Sequence, residues 1–581
     1  MSNTSLGLLD AFGSISLVDC EFRSLDGNRP EPVCMVVKDL RSGVLKKYWQ
    51  DDLRKLDRAP FPMGQTDLMV AYFASAEFGC MLELGWELPN NVIDLFAEHR
   101  VETNGLYLPT GNSFLSALAW RGLTRIEVAV KDAMRDLILG QSSWSPVQQV
   151  EIMDYCTSDV EGLDVLLRTM LSKIDLPRAL LRGRYTKAVA HMERNGIPID
   201  TAVHEVLVAK WGSVRKVLTK YIDRDYGVYD GVTFKRGRFA EFLRRQRIPW
   251  PRSESGGLKL DDETFKLQAI QWPILESLRE LRQALGRMYL PNLQVGDDGR
   301  CRTLLGPFST KTGRNQAATK KFPFALCKWQ RPVIKPPENW GLCYIDYSSQ
   351  EIGIAGGQSG DERLIAAYNA GNPYLAFAKD TGLIPQDATR ESHGAMRNIC
   401  KVVVIGLNYG LGAENMAHQA GISVALATEL IERHRHTYPT YWRWSEEVVV
   451  SGLLRNEMSS IFGWRRQLRG MDRPTSLMNF PMQANGAEMM RLAAIAATEE
   501  GIEVCAPVHD AFLIAAPLDV LDEHVSRMRE LMTKASLVVT GNVPIRTDAK
   551  IIRFPDRFVD EEGVDMWNLV VQMAGIPEAQ V

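Results

Sequence analysis

The segment VCAPVHDAFLIAA, residues 504–516, sets two apolar runs on either side of one polar pair, His509 and Asp510. That pattern predicts two buried strands joined by a tight turn, with the pair at its tip. A second apolar run, Leu342 to Ile345 in LCYIDYSSQEIGI, reads as another buried strand that runs into Asp346. The helix-compatible stretch after it presents a further acid, Glu351. In isolation Asp346 has a structural explanation, because Asp is among the preferred helix N-caps. Two acids at strand ends also have a chemical one, since carboxylates are what hard divalent ions require as ligands. Two such ions about 3.5 to 4 Å apart can activate an attacking oxygen and stabilise a leaving one in phosphoryl transfer.

Between these acids lies RNICKVVVIGLNYG, where Arg397, Lys401, Ile405 and Tyr409 recur at every fourth residue. At about 100° per helical residue, each step of four drifts by only about 40°, so the four side chains share one broad face. The bland reading is a helix with basic residues near its start and an aromatic in its core. Two cations followed by a ring also suit a triphosphate met by Arg and Lys and a base met by an aromatic face.

A chain of 581 residues is too long for one core and suggests roughly three to five structural units. Its 45% apolar and 24% charged content are those of a soluble globular protein. A net charge of -3 argues against a binder that relies on bulk positive charge. A local basic segment stands out all the same: KRGRFAEFLRRQRIPWPR, residues 235–252, carries seven Lys or Arg against the single Glu241, interleaved with Phe239, Phe242 and Trp250. It reads either as a solvated helix face or as a helix that lays cations on a phosphate backbone. The nine cysteines form no CxxC pair, so neither a disulfide framework nor a zinc module is indicated, and most read as small core residues. No segment approaches the roughly 20 apolar residues of a membrane span, and the polar start MSNTSLGLLD lacks a signal pattern. A reduced, cytosol-like compartment is the expectation. Residues 1–175 alternate strand-like and helical pieces, 176–300 turn helical, and the remainder mixes strands with long helices.

The order DYSSQE, then R-x3-K-x7-YG, then VHD resembles the three polymerase motifs of family A DNA polymerases, the class of bacterial DNA polymerase I. STKTGRNQ with Thr312 and Arg314, NFPMQ with Asn479 and Gln483, and HMERNGIPID extend the resemblance over most of residues 180 to 550. The resemblance implies that Asp346 and Asp510 hold two Mg²⁺ ions, with Mn²⁺ as a substitute. It implies that Arg397 and Lys401 meet the incoming triphosphate, with Tyr409 beside the templating position. Glu351 stands where the family keeps a glutamate that crowds the sugar 2′ position. Thr312, Arg314, Asn479, Gln483 and His509 are expected at the primer-template minor groove or primer end. Three departures stand out. Ile405 replaces the usual Phe or Tyr, which leaves recognition of the 3′ position of the sugar open. Ala511 replaces the acid that commonly follows HD. NPYLAFAKD stands in place of the DIH-like element, leaving its phosphate contact unassigned.

Near the N-terminus, SISLVDCEF delivers Asp19 and Glu21 as alternate residues of a strand, and DYCTSDVEGL places Tyr155 and Asp159 four apart on a helix. This resembles the tyrosine-containing form of the DEDD 3′-5′ exonucleases, with metal held by Asp19, Glu21 and Asp159 and Tyr155 helping to orient water. For the fourth acid, Glu77 in AYFASAEFGCML is favoured and Asp94 in NNVIDLF is the second candidate. The expected architecture is therefore multi-domain α/β. An RNase H-like exonuclease domain (1–175) is followed by a right-hand polymerase with thumb (176–300), first palm part (301–360), fingers (361–475), and second palm part with the C-terminal segment (476–581). The expected function is template-directed DNA synthesis with proofreading. The alternatives are a polymerase with an inactive, structural exonuclease domain and a non-enzymatic nucleic-acid-binding scaffold. Expected partners are primer-template DNA and dNTPs, then a processivity factor, helicase or primase, with no membrane and a monomeric state. The divergence, and the lack of room for a separate 5′ nuclease, fit a bacteriophage enzyme in a bacterial host cytoplasm, with an organellar source as the other option.

Overall fold

A five-stranded mixed sheet opens the chain, in the order Leu45–Trp49, Glu31–Asp39, Ser14–Arg23, Asp67–Ala71, Asn91–Asp94. The computed structural model describes residues 7–24, 27–123, 128–470 and 472–577, so the polar start at residues 1–6 lies outside them. Strand Ser14–Arg23 pairs antiparallel with Glu31–Asp39 and parallel with Asp67–Ala71. It is central, and its stretch Ile15–Val18 is buried between clusters on both faces of the sheet. Ile15 and Leu17 pack on one side with Ile152, Cys156 and Val160 of the helix Pro146–Met170. Val18 and Cys20 pack on the other with Phe78 and Met81 of the helix Ser75–Glu83.

A second, four-stranded sheet runs in the order Glu503–Val508, Ala511–Pro517, Trp340–Tyr347, Thr547–Arg553. It packs with the helices Phe480–Glu499 and Leu521–Thr540, the first of which is buried along almost its whole length. The helix Leu176–Asn195 packs against both the strand Asn91–Asp94 and the strand Glu503–Val508. That close approach needs Gly183, because a Cβ there would lie 2.1 Å from the Val92 carbonyl oxygen.

The chain divides into two compact units, the first comprising Met1–Asn195, Leu304–Gln316 and Cys343–Lys550. The second comprises Gly196–Thr303, Ala317–Leu342 and Ile551–Val581. Within it the helix Thr201–Asp223 packs against Glu276–Gly286 and Val564–Ala574, and Asp200 caps its start through the Val203 amide at 3.1 Å. Of the basic segment, Arg236–Arg245 is helical, and Phe239 and Phe242 are buried there. Among the described residues, no helix is long and apolar enough to cross a membrane.

Candidate active site

Val508 pairs with Ala511, so His509 and Asp510 form a two-residue hairpin turn, with His509 left-handed at φ 59 and exposed. The strand after the turn lies beside Trp340–Tyr347, and the Tyr347 amide donates to the Asp510 carbonyl at 3.1 Å. Sheet register thereby brings Asp346 and Asp510 together at one end of the two central strands. A third acid joins them from the outer strand: Asp548, which accepts a hydrogen bond from the Ser348 hydroxyl. Burial, and then the charges of Asp510 and Asp548, push Asp346 up to about 6. Burial also raises Asp510, opposed by the nearby Arg314 and His509. Asp346 and Asp510, both of which resist ionisation, lie with Asp548 in an oxygen donor set that a hard divalent cation would relieve.

On the helix Gly394–Asn408, Lys401 and Ile405, with Tyr409 at the C-cap, line one wall of a cleft of about 620 Å³, together with Asn398 and Val402. Arg397, one turn earlier, places its guanidinium carbon 5.2 Å from the centre of the Tyr374 ring. Burial and the positive charges of Arg397 and Arg390 lower the pKa of Lys401, which marks a concentration of cations on this part of the helix. The Tyr409 hydroxyl donates to Glu351 Oε1 at 3.2 Å and accepts from Gln483 Nε2 at 2.9 Å. Arg314 lies 3.7 Å from the same Glu351 oxygen. Glu351 sits in the first turn of the helix Gln350–Ser359, whose N-cap position is Ser349, so it is not the cap. Both polar atoms of the Asn479 amide are buried and have no partner among the described residues.

Arg314 belongs to a loop anchored from several sides. Arg100 donates to the carbonyls of Phe308 and Ser309, each at 3.1 Å, and Asn104 donates to Lys311 at 2.7 Å. Arg491 donates to the Gly313 carbonyl at 2.7 Å. Gly313 is required here, since a Cβ would meet the Trp464 ring at 3.0 Å and its φ is +73. The Thr312 hydroxyl lies 3.2 Å from that of Thr310.

A separate acidic cluster forms in the first sheet. Asp19 and Glu21 project from the strand Ser14–Arg23, while Tyr155 and Asp159 come from the helix Pro146–Met170. Burial and then Asp159 push Asp19 up to about 7; burial and then Asp19 hold Glu21 well above the carboxylate range. Asp159 Oδ2 accepts from Lys131 Nζ at 3.1 Å, but its Oδ1 is buried without a partner among the described residues. The two candidates for a fourth acid differ sharply. Asp94 caps the helix Leu95–Thr103, its oxygens taken by the amides of Phe73, Phe96 and Ala74 at 2.9, 2.9 and 3.1 Å. Glu77 is 3% exposed with an unpartnered Oε2, and burial followed by the Asp19 charge raises its pKa. The group that feels Asp19 and has oxygen to spare is Glu77.

The profile of DNA polymerase family A matches residues 245–553, just over half of the chain. The chain belongs to DNA polymerase family A. The matched span contains Asp346, Glu351, the Arg397 helix and Asp510; the N-terminal cluster lies outside it. Thermostable DNA polymerase I of Thermus caldophilus is 25% identical over 376 residues, 60% of this chain and 45% of that one. DNA polymerase I of Aquifex aeolicus is 23% identical over 427 residues, 68% of this chain and 70% of that one. The chain thus spans about half the length of the Thermus relatives. The POL domain of Pol1 from M. smegmatis, in complex with DNA primer-template and dNTP, shares the fold at a TM-score of 0.71 and 18% identity, over 93% of this chain and 94% of that one.

For this family A chain, sequence reasoning missed three groups at the two clusters: Asp548, Lys131 and Cys156. Asp548 carried a usable signal, since IRTDAKI is another acid near a strand start. Ala511 is buried in its strand, and the additional charge beside Asp346 comes from Asp548 instead. NPYLAFAKD forms a helix, Pro373–Asp380 capped by Asn372, and supplies the Tyr374 ring beneath Arg397.

Proposed function

We propose that the protein is a template-directed DNA polymerase that adds dNTPs to a primer 3′ end and also removes nucleotides in the 3′-5′ direction. The observation that carries this reading is the meeting of Asp346 and Asp510 at one end of the two central strands within the unit that also presents the Lys401 cleft. In this reading the second sheet is a palm, the Gly394–Asn408 helix belongs to the fingers, the helical unit supplies a thumb, and the first sheet is an RNase H-like exonuclease. Asp346 and Asp510, with Asp548 alongside, are the residues that hold Mg²⁺ or Mn²⁺. Ions held by these residues would supply a lowered pKa at an attacking hydroxyl and charge neutralisation at the leaving phosphates. The chain's own part is positioning and charge, as expected for phosphoryl transfer without a covalent nucleophile. Arg397 and Lys401 receive the triphosphate, with Arg397 aimed by Tyr374. Glu351, tied in place by Tyr409, occupies the space of a sugar 2′-hydroxyl, and Tyr409 offers its ring to the base pair. Ile405 gives the cleft an apolar wall at the sugar's 3′ side. Thr312, Arg314, Asn479, Gln483 and His509 contact primer and template, the unpartnered Asn479 amide being free for that purpose.

In the N-terminal cluster, Asp19, Glu21, Glu77 and Asp159 form the second cation site, and Tyr155 orients the water. The unpartnered oxygens of Glu77 and Asp159 support it. One contact favours a second reading, a structural N-terminal domain: Lys131 already neutralises Asp159. A 5′-labelled primer on a longer template, incubated with Mg²⁺ with and without dNTPs, separates the two. Lengthening with nucleotides and stepwise shortening without them is the expected result. Lengthening alone selects the structural reading, and neither, where a known polymerase works, overturns the proposal.

A further inference from the structure

Cys156 is a member of the N-terminal cluster that a hard-metal exonuclease does not need. Its thiol donates to Asp19 Oδ2 at 3.2 Å and lies 3.4 Å from the Asp19 carbonyl oxygen. One ligand atom each from Asp19, Glu21 and Cys156 lie within 4.8 Å of one another. A tetrahedral Zn²⁺ with its usual bond lengths, roughly 2.3 Å to sulfur and 2.1 Å to oxygen, holds those two atoms roughly 3.6 Å apart. The sulfur and the carboxylate are therefore close to that separation without a rotamer change. A buried thiol alone would read as core packing. Two buried oxygens in the same cluster, Asp159 Oδ1 and Glu77 Oε2, also have no partner among the described residues, which points to a missing cation.

We propose that Asp19, Glu21 and Cys156 form a site for a thiophilic divalent cation of the Zn²⁺ class, which displaces Mg²⁺ and arrests the exonuclease. This rests on reading the cluster as a metal centre. Sulfur is a soft ligand that discriminates little in favour of Mg²⁺ and strongly in favour of Zn²⁺. The thiol must lose its proton to bind, so uptake of the ion releases protons to solvent.

Cobalt(II) serves as the probe on the full, reduced chain. Wild type should show a near-ultraviolet thiolate-to-cobalt band together with visible d–d absorption. The first should vanish in Cys156→Ser and Cys156→Ala, two near-isosteric variants whose melting temperatures control for folding, and Asp19→Asn should weaken it. Competition against a chromophoric chelator should show Zn²⁺ affinity falling at least about tenfold in Cys156→Ser, with Mg²⁺ affinity unchanged. Zn²⁺ should then halt primer shortening at lower concentration in wild type than in Cys156→Ser. Visible absorption that Asp19→Asn removes, with no thiolate band in wild type, overturns the thiol ligand and leaves the metal centre standing. A thiolate band that survives in both Cys156 variants overturns the proposal as well. No difference between wild type and Asp19→Asn in any titration overturns both the ligand and the centre.

Discussion

The two carboxylate clusters are built alike and housed differently. Each gathers acids from more than one element, yet in the N-terminal cluster Glu77 and Asp159 are only 3% and 5% exposed beside the partly open Asp19 and Glu21, while Asp346 and Asp510 are partly open and Asp548 is exposed. The protonation balance follows the housing: Asp19 is pushed up to about 7 and Asp346 to about 6, with burial the first cause in both. In the proposed function, an acid pair that admits a triphosphate and a primer end has to stay open. Acids walled by helices, such as Glu77 and Asp159, instead face a larger desolvation cost on ionising. Environment, rather than the number of acids, sets how strongly the acids of each cluster resist ionisation.

The largest effects should break the comparison cleanly. Asp510→Ala should reduce primer extension by about a thousandfold or more, since removing even one electrostatic stabiliser costs about 10² to 10³. Primer binding, read by anisotropy, should be nearly unchanged, and shortening should persist. Asp19→Ala should give the mirror image. Loss of both activities from either single change would mean that the clusters are not independent centres. Next in size, Glu351→Ala should lower discrimination against ribonucleotides by about a hundredfold, a magnitude typical of losing a shape-based exclusion. Glu351→Gln keeps the volume and should cost far less. The ratio of kcat/KM for dNTP and rNTP decides it, and equal effects of the two variants would point to charge instead of shape.

Which of these parts could be read from the chain follows from how local each signal is. The VHD hairpin and the Asp346 strand were legible because short apolar runs and a two-residue polar turn are properties of consecutive residues. The Arg397, Lys401, Ile405, Tyr409 face was legible from helical spacing, though only three of the four reach the cleft wall and Arg397 turns to Tyr374. Asp548 was not legible as a partner of Asp346, because their proximity depends on the strand order, in which Thr547–Arg553 joins the sheet next to Trp340–Tyr347. Cys156 read as a small core residue, which its burial supports; only the packing of its helix against strand Ser14–Arg23 puts the sulfur on Asp19. The choice between Glu77 and Asp94 likewise needed the amides that occupy Asp94.

Stability against pH sharpens the contrast between the clusters in protein freed of metal with EDTA. An acid whose folded pKa is raised favours the folded state below its unfolded value near 3.8, and that contribution is lost as pH rises through the folded value. The loss runs up to about 7 for Asp19 and about 6 for Asp346. Asp19→Asn should therefore stabilise the metal-free protein at pH 8 by roughly 1 to 3 kcal/mol, a value discounted for its partial exposure, with the gain vanishing below pH 4. Asp346→Asn should give a smaller gain that is already complete at lower pH. Thermal unfolding across that range tests both, and an equal gain from the two variants would remove the distinction drawn from burial.

The smallest effect separates the two acids that competed for the fourth place in the N-terminal cluster. Asp94 spends its oxygens on three amides and starts the helix Leu95–Thr103, so Asp94→Ala should destabilise the fold by about 1 to 2 kcal/mol, the range for a lost N-cap. Glu77 has nothing comparable to lose, since its Oε2 is already unpartnered and its ionised form is disfavoured by burial and by Asp19. Glu77→Gln should leave the melting temperature unchanged or raise it, while primer shortening falls and extension continues. The two variants thus move opposite observables: one lowers stability, the other lowers shortening at full stability. If Glu77→Gln were the destabilising change and shortening survived it, Glu77 would be a packing residue, and the cluster would have three acids instead of four.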